Sequence, residues 1–348
     1  MAHDEGTTYA AAGVDIDAGN RAVALMKDAV SATHGPEVLA GIGAFGGLFS
    51  LGTLEMREPV LAASTDGVGT KVRLATRYGR LASVGMDLVN HCIDDILVQG
   101  ARPLFFLDYV ASAKLTPEDV AAVVGGMAEA CRAAGCALLG GETAEMPGVY
   151  AAGEIDVVGT IVGVVDRGQI VDGRRIRPGD AVIGIASHSP HTNGYSLIRH
   201  VLGDRDLTVH EPALGAAPVD LLLRPHRSYL PEVGALRAAG VDIKGMAHIT
   251  GGGLIENPPR VLPPETALRL DRTQWPVPPL FTWLAELGGI ADAEMHRVFN
   301  MGLGLLVVLP EDQVERALDA LGADAWHVGD IVPHHGRPTV FFSPDLQE

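Results

Sequence analysis

The stretch GIGAFGG, residues 41–47, matches the glycine spacing G-x-G-x-x-G, and Asp66 follows at about the distance where a dinucleotide fold places its ribose-binding acid. That fingerprint works only between a core strand and a long helix whose first amides hold the pyrophosphate. Neither flank fits. Upstream, HGPEVLA contains Pro36 and too few apolar residues for a core strand. Downstream, LFSLGTLEMREP is interrupted by Gly52 and closed by Pro59, so no long helix follows. A loop this bare either turns tightly or lets another group approach its backbone N–H groups.

Outward from this loop, helical and strand patterns alternate. NRAVALMKDAVSA (20–32) places Ala22, Leu25, Met26, Ala29 and Val30 on one helical face, with Lys27 at its edge. PVLAAST (59–65) reads as a buried strand ending at DGVGTK, and residues 84–101 read as a helix. PLFFLDYV (103–110) reads as a strand. Residues 116–135 form a helix with Thr116 as N-cap, Pro117 at the first position and Gly135 as its stop. EIDVVGTIVGVVD (154–166) is a long β-branched strand. The turn-rich segment 168–180 separates two domains, 1–170 and 171–348. In the second, AVIGIAS (181–187) is a strand, NGYSLIRHVL (193–202) a helix, and residues 302–332 a strand–helix–strand unit; residues 266–281 read as a long loop. This alternation predicts an α/β fold in both halves.

The chain has 348 residues, 47% of them hydrophobic, and a formal net charge of −17. It is long enough for two cores. No basic field is present to recruit nucleic acid or an anionic membrane. No apolar run reaches the ~18 residues of a membrane helix, and MAHDEGTTYA is too acidic for a signal peptide. The odd set Cys92, Cys131 and Cys136, without a C-x-x-C pair, reads as buried free thiols in a reducing cytoplasm.

Three acidic positions stand beside glycine: Asp66 in STDGVGTK, the pair Asp94–Asp95, and Glu142 in LLGGETAEMPG. Carboxylates at such places suit Mg²⁺, a hard cation that shares carboxylates with phosphate oxygens; each also reads as a solvated turn acid. DGVGTK is too short for a P-loop, although Thr70 and Lys71 lie within reach of a phosphate. HITGGGLIEN (248–257) reads either as an anion site at a helix start, formed by Thr250 and Gly251–Gly253, or as a flexible turn. SPHTNGYS (189–196) sets His191 and Asn193 at an exposed strand-to-helix junction. His226 reads as a surface residue, like His34, His188, His200, His210, His334 and His335.

The ordered set AGVDIDAGN, STDGVGTK, DDILVQGARPLFFLDY, GGETAEMPGVY, SPHTNGYSLIR, AHITGGGLIENPPRVLP and EMHRVFNMGLG closely resembles the AIR synthetase family, the phosphoribosylformylglycinamidine cyclo-ligases of purine biosynthesis. The resemblance runs from about Tyr9 to Asp330. It implies two α/β domains, a homodimer whose N-terminal sheets join into a central barrel, and a C-terminal mixed sheet with helices. It implies a cytoplasmic enzyme that uses ATP and Mg²⁺ on a small phosphoribosyl substrate. Asp66, Asp95 and Glu142 would hold the metal and nucleotide, joined by Thr70, Lys71 and the loop glycines Gly43 and Gly46. Asn193, Thr250, Gly251, Gly252 and Gly253 would hold the substrate, with His191 and Lys27 as catalytic residues. Two departures stand out: His188-Ser189 replaces the usual Ser-Gly, and Ala44 occupies a glycine place. The alternatives are another phosphoryl-transfer enzyme of the superfamily, such as thiamine-monophosphate kinase, or a silent nucleotide-binding subunit.

Overall fold

The computed structural model describes residues 13–40, 43–336 and 338–343. The chain divides into two compact units: residues up to Met56 with Ala63–Cys92 and Pro103–Gly163, and Arg57–Ala62 with Ile93–Arg102 and the chain from Val164 onward.

The first unit is built from α1 (Ile16–Ser31), a two-stranded antiparallel ribbon of β1 (Val38–Ala40) and β2 (Leu48–Phe49), and a four-stranded sheet. That sheet holds β3 (Pro59–Gly67), β4 (Arg102–Ser112), β5 (Ala137–Glu145) and β6 (Ile155–Asp166) in the order β3-β6-β4-β5, with β4 and β5 parallel. Helices α2 (Lys71–Arg77), α3 (Leu81–Leu97) and α4 (Pro117–Ala133) complete it. The unit division falls within β3, α3, β4 and β6.

The 41–47 loop joins β1 to β2 and opens no helix, which disposes of the dinucleotide motif; its Gly41 and Ile42 lie outside the described residues. Two expectations of burial are corrected. On α1 only Ala22 and Val30 are buried, and Leu25 is 49% exposed. β3 alternates rather than being buried throughout, leaving Leu61 58% exposed. Its apolar residues signalled a core strand, yet the strand has a second face that the described residues leave exposed.

In the second unit a six-stranded mixed sheet runs β12-β9-β11-β7-β10-β8. Its strands are β7 (Ala181–Ala186), β8 (Gly245–His248), β9 (Thr266–Asp271), β10 (Leu303–Leu309), β11 (Ala325–Pro333) and β12 (Val340–Ser343). Only β12 and β9 pair in parallel; β7, β8, β9, β10 and β11 pair antiparallel. The helices are α5 (Tyr195–Leu202), α6 (Pro218–Leu222), α7 (Leu230–Ala238), α8 (Gly253–Glu256), α9 (Pro279–Gly288), α10 (Asp292–Val298) and α11 (Val314–Leu321). Ile183, Ile185, Leu305 and Val307 of the central strands pack with Val233 and Leu236 of α7 and Ala317 of α11. The stretch 266–281 is not a loop: it contains β9 and the start of α9, and Trp275 between them is buried, its indole donating to the Met301 carbonyl at 3.1 Å.

Helices α3 and α4 approach through glycine. A Cβ on Gly85 would lie 1.9 Å from the Val123 carbonyl oxygen, and one on Gly126 would lie 1.9 Å from that of Ala82. Gly125 beside it meets nothing within 4 Å. Gly85→Ala and Gly126→Ala should each destabilise the protein by roughly 2–3 kcal/mol, because backbone must move apart. Gly125→Ala should be neutral or stabilising by up to about 1 kcal/mol through helix propensity. Urea unfolding of the three variants checks this; equal effects at all three would show that the helices do not meet at these glycines.

Candidate functional site

In the second unit, β7 ends at Ala186 and delivers the turn Ser187–Gly194 before α5. The turn holds two non-glycine residues in the left-handed region, His188 (φ 64°) and His191 (φ 60°). Hydrogen bonds hold this shape. Ser187 Oγ donates to Asn300 Oδ1 at 2.9 Å, Asn300 Nδ2 donates to the Ser189 carbonyl at 2.9 Å, and the His191 amide donates to Ser189 Oγ at 3.1 Å. The departure at Ser189 thus supplies an acceptor that glycine lacks.

His191 is fully buried rather than exposed, correcting the reading of this junction. Its Nε2 lies 3.0 Å from the Ser187 carbonyl oxygen, which can only accept, so Nε2 carries the proton. Its ring stacks on His226, with centroids 3.8 Å apart and planes at 22°. Gly304 has no room for a side chain: a Cβ there would lie 2.5 Å from His191 Cε1 and 1.8 Å from the Tyr229 hydroxyl oxygen.

His226 is also buried, at 1% exposure, which overturns its reading as a surface histidine. Its Nε2 lies 3.0 Å from His248 Nε2 and 3.4 Å from Asp94 Oδ2. His248 Nδ1 donates to Asp95 Oδ1 at 2.9 Å. The two neighbouring acids differ sharply. Asp94 is fully buried and accepts the Tyr229 amide at 2.9 Å; burial holds its carboxyl well above the usual range. Asp95 keeps part of its carboxylate in solvent, with its side chain 28% exposed. Burial, followed by the nearby Asp94 carboxyl, raises the Tyr229 phenol well above its ordinary value.

The glycine triplet follows β8. Gly252 (φ 101°) and Gly253 (φ 56°) are left-handed, and the helix they open, α8, is a single turn, so its dipole offers little and an anion here would be met by the loop amides instead. The buried Asn257 shapes the loop by donating to the carbonyls of Thr250, Gly251 and Gly253. Asn193 Oδ1 lies 3.4 Å from the Cβ position of Gly251, so two substrate-binding elements expected from sequence do meet.

In the first unit, Asp66 lies within β3, one residue before its end, rather than standing on a turn. It accepts the Gly67 amide at 2.6 Å and pairs with His91 Nε2 at 2.7 Å. Glu142 is likewise mid-strand, exposed on β5 opposite Tyr109 of β4. Lys71 is corrected: it is fully buried and paired with Asp87 at 2.8 Å, so its ammonium serves an internal ion pair rather than a phosphate. Burial lowers its pKa, and the Asp87 charge and hydrogen bond oppose that shift. Thr70 occupies the N-cap position of α2, Lys27 is exposed on α1, and Gly43 and Gly46 are exposed in the β1–β2 loop. Cys92, Cys131 and Cys136 are buried and form no disulfide.

Partly exposed carboxylates fit a hard divalent cation, and Asp66 and Asp95 each have a histidine to orient them, as metal-binding carboxylates commonly do. The sequence reading gave no site role to His91, His226, His248, Asn257 or Asn300, although His248 and Asn257 lie within AHITGGGLIENPPRVLP and Asn300 within EMHRVFNMGLG.

Two family models match: AIR synthase related protein, N-terminal domain, over residues 52–165, and its C-terminal domain over residues 177–340. The phosphoribosylformylglycinamidine cyclo-ligase of Bordetella pertussis is 50% identical over 335 residues, covering 95% of this chain and 96% of that protein. The enzyme of the same name from Desulfitobacterium hafniense is 51% identical over 329 residues, covering 94% and 97%. The chain belongs to the phosphoribosylformylglycinamidine cyclo-ligase family. Among solved structures, thiamine-monophosphate kinase from Stenotrophomonas maltophilia matches with a TM-score of 0.68 at 19% identity, covering 92% of this chain and 96% of that one. Hydrogenase maturation protein HypE in complex with ATP matches at 0.67 and 20%, covering 93% and 90%. At these identities the likeness is one of fold alone.

Asp108, beside Gly141 on the neighbouring strand, has its pKa raised to about 7 by desolvation, with Glu142 adding to the shift. A carboxyl whose folded pKa exceeds its unfolded value near 3.8 favours folding at low pH. Stability should therefore fall as pH rises from about 4 to about 7 and level off above. Asp108→Asn removes this component, so in metal-free protein its stability relative to wild type should climb across that window and then plateau. Denaturant titrations across the pH range check this, and a constant difference would refute the shift.

Proposed function

We propose that the chain catalyses the ATP-dependent closure of phosphoribosylformylglycinamidine to 5-aminoimidazole ribotide, with release of ADP and phosphate. The carrying observation is the identity of about half of all residues along nearly the whole of both chains to enzymes of that name. The thiamine-monophosphate kinase alternative has only a fold likeness behind it. The silent-subunit alternative is disfavoured because His191 and all three acids are present.

The substrate's formamide carbon is a poor electrophile and its oxygen a poor leaving group. Transfer of the γ-phosphoryl of ATP to that oxygen makes it a leaving group. The amidine nitrogen then attacks the carbon, phosphate departs with the former formamide oxygen, and the nitrogen's proton is lost. The protein supplies mainly positioning and charge stabilisation. Mg²⁺ held by Asp66, Asp95 and Glu142 would neutralise phosphate charge. Thr70, Gly43 and Gly46 would border the nucleotide. The amides of Thr250–Gly253, with Asn193, would take the substrate phosphate. His191 would meet the formamide oxygen or departing phosphate, and Lys27 is a second candidate for that charge. The exposed face of β3 is consistent with a homodimer whose N-terminal sheets join in a barrel. Among the described residues no helix is long and apolar enough to cross a membrane, and the net charge of −17 disfavours nucleic acid, in keeping with a cytoplasmic enzyme.

ADP release should require phosphoribosylformylglycinamidine; release driven by thiamine monophosphate instead would overturn the assignment. Asp95→Asn should cost roughly 3 kcal/mol of transition-state stabilisation, about a hundredfold in rate. Asp94→Asn should be mild, because the amide oxygen can still accept the Tyr229 amide. His191→Ala should lower kcat by roughly 10²–10⁴ while leaving ATP affinity intact.

The substrate loop has its own test. Gly252→Ala is uninformative because φ is 101° there. Gly251 is a sterically tolerant position, and Gly251→Ala should raise KM for the phosphoribosyl substrate more than KM for ATP. A larger effect on ATP would reassign the loop to nucleotide.

A further inference from the structure

The segment Arg224–Tyr229, between α6 and α7, has no regular structure, yet four of its six side chains address the β7 exit and the turn that carries His191. Arg224 Nη1 donates to the His188 carbonyl at 3.3 Å, Arg227 Nη1 to the Ala186 carbonyl at 3.0 Å, and the Tyr229 hydroxyl to the same Ala186 carbonyl at 3.0 Å. His226 lies ring to ring against His191 at 3.8 Å. We propose that His226 is a positioning residue for His191, with the Arg224–Tyr229 segment as its mount. The inference rests on the assignment of His191 to catalysis.

An imidazole does in this place what an apolar ring could not. One face of His226 covers His191. Its edge nitrogen meets His248 Nε2 at 3.0 Å, and His248 reaches Asp95 through its other nitrogen at 2.9 Å. Because the Asp95 carboxylate only accepts, His248 Nδ1 carries a proton; in the neutral ring its Nε2 then accepts from His226 Nε2–H. A phenyl ring could still face His191 but would lack the hydrogen bond to His248 Nε2 that fixes the plane of the ring against His191. His226 and His248 thus fix the placement of His191 relative to Asp95. These two residues are assigned to opposite ends of the reaction, the leaving oxygen and the nucleotide metal.

The test is a double-mutant cycle of His226→Phe and His191→Ala, read as kcat and as KM for ATP. His226→Phe should lower kcat roughly 10–100-fold, the range for partners that orient a functional residue, with KM for ATP little changed. In the His191→Ala background the same substitution should have no further effect on kcat. Losses that multiply would mean that His226 acts independently of His191 and would overturn the proposal, as would unchanged kcat in the single variant. Full turnover in His191→Ala alone would instead remove the catalytic assignment of His191 and, with it, the basis of the proposal. Imidazole ¹⁵N spectra of the wild type should show His191 as the Nε2–H tautomer, and His226→Phe should disturb that signal; an undisturbed signal counts against positioning. Should His226→Phe fail to fold, His226→Gln, which loses the stack, takes its place in the cycle with the same two outcomes.

Discussion

The carbonyl oxygen of Ala186 fixes the site in the second unit. It closes β7 and accepts two side-chain hydrogen bonds, from the Arg227 guanidinium and the Tyr229 hydroxyl, at 3.0 Å each. Both donors are held in turn: Arg227 by Glu232, with which it forms a part-buried ion pair, and Tyr229 by Asp94, which accepts its amide. The Tyr229 hydroxyl occupies the space a side chain at position 304 would need, so Gly304 is required by a hydrogen bond made elsewhere in the chain. A buried polar network of this kind specifies one arrangement because any member left unsatisfied costs about 1–3 kcal/mol.

That arrangement sustains a backbone that would otherwise be unfavourable. Left-handed φ at two histidines, His188 and His191, costs on the order of 1 kcal/mol or more each and persists only where surrounding contacts over-determine it. Asn300 and Ser189 do so from within the turn, and the Arg224–Tyr229 segment does so from outside. The strain therefore sits at the residue assigned to the chemistry, and the neighbouring strands stay regular.

Local sequence pattern revealed the elements whose signal is local. The β-branched runs of β6, β7 and β10 read as strands, and α4 announced itself through Pro117 and Gly135. β9 stayed hidden because Arg269 and Asp271 alternate with its buried leucines; Arg269 pairs across the strands with Asp330 of β11, a partner 61 residues away. β3 misled in the opposite direction, since apolar content was equated with burial on both faces. The site was legible where motifs are contiguous, as in PHTNGY and TGGG. It was illegible where partners are distant: His226 meets His248 across 22 residues, and Tyr229 meets Asp94 across 135. Lys71 failed for the same reason, because nothing in DGVGTK signals that Asp87 will bury it. The assignment of activity came from the resemblance as a whole, which residue spacing alone did not supply.

The chain carries −17, and several of its cations are engaged in ion pairs: Lys71 with Asp87, Arg227 with Glu232 and Asp324, and Arg297 with Glu256. On the proposed reading an anionic phosphoribosyl substrate would be met chiefly by neutral donors, since a bare loop such as Thr250–Gly253, shaped by Asn257, presents amides without a competing side chain. A triphosphate poses a harder problem, because Asp66, Asp95 and Glu142 would repel it. On the proposed reading a divalent cation resolves that repulsion, turning three carboxylates from a barrier into a binding group. The histidines at Asp66 and Asp95 fit this role: each takes one carboxylate oxygen, fixing the group's orientation while leaving the acid partly exposed.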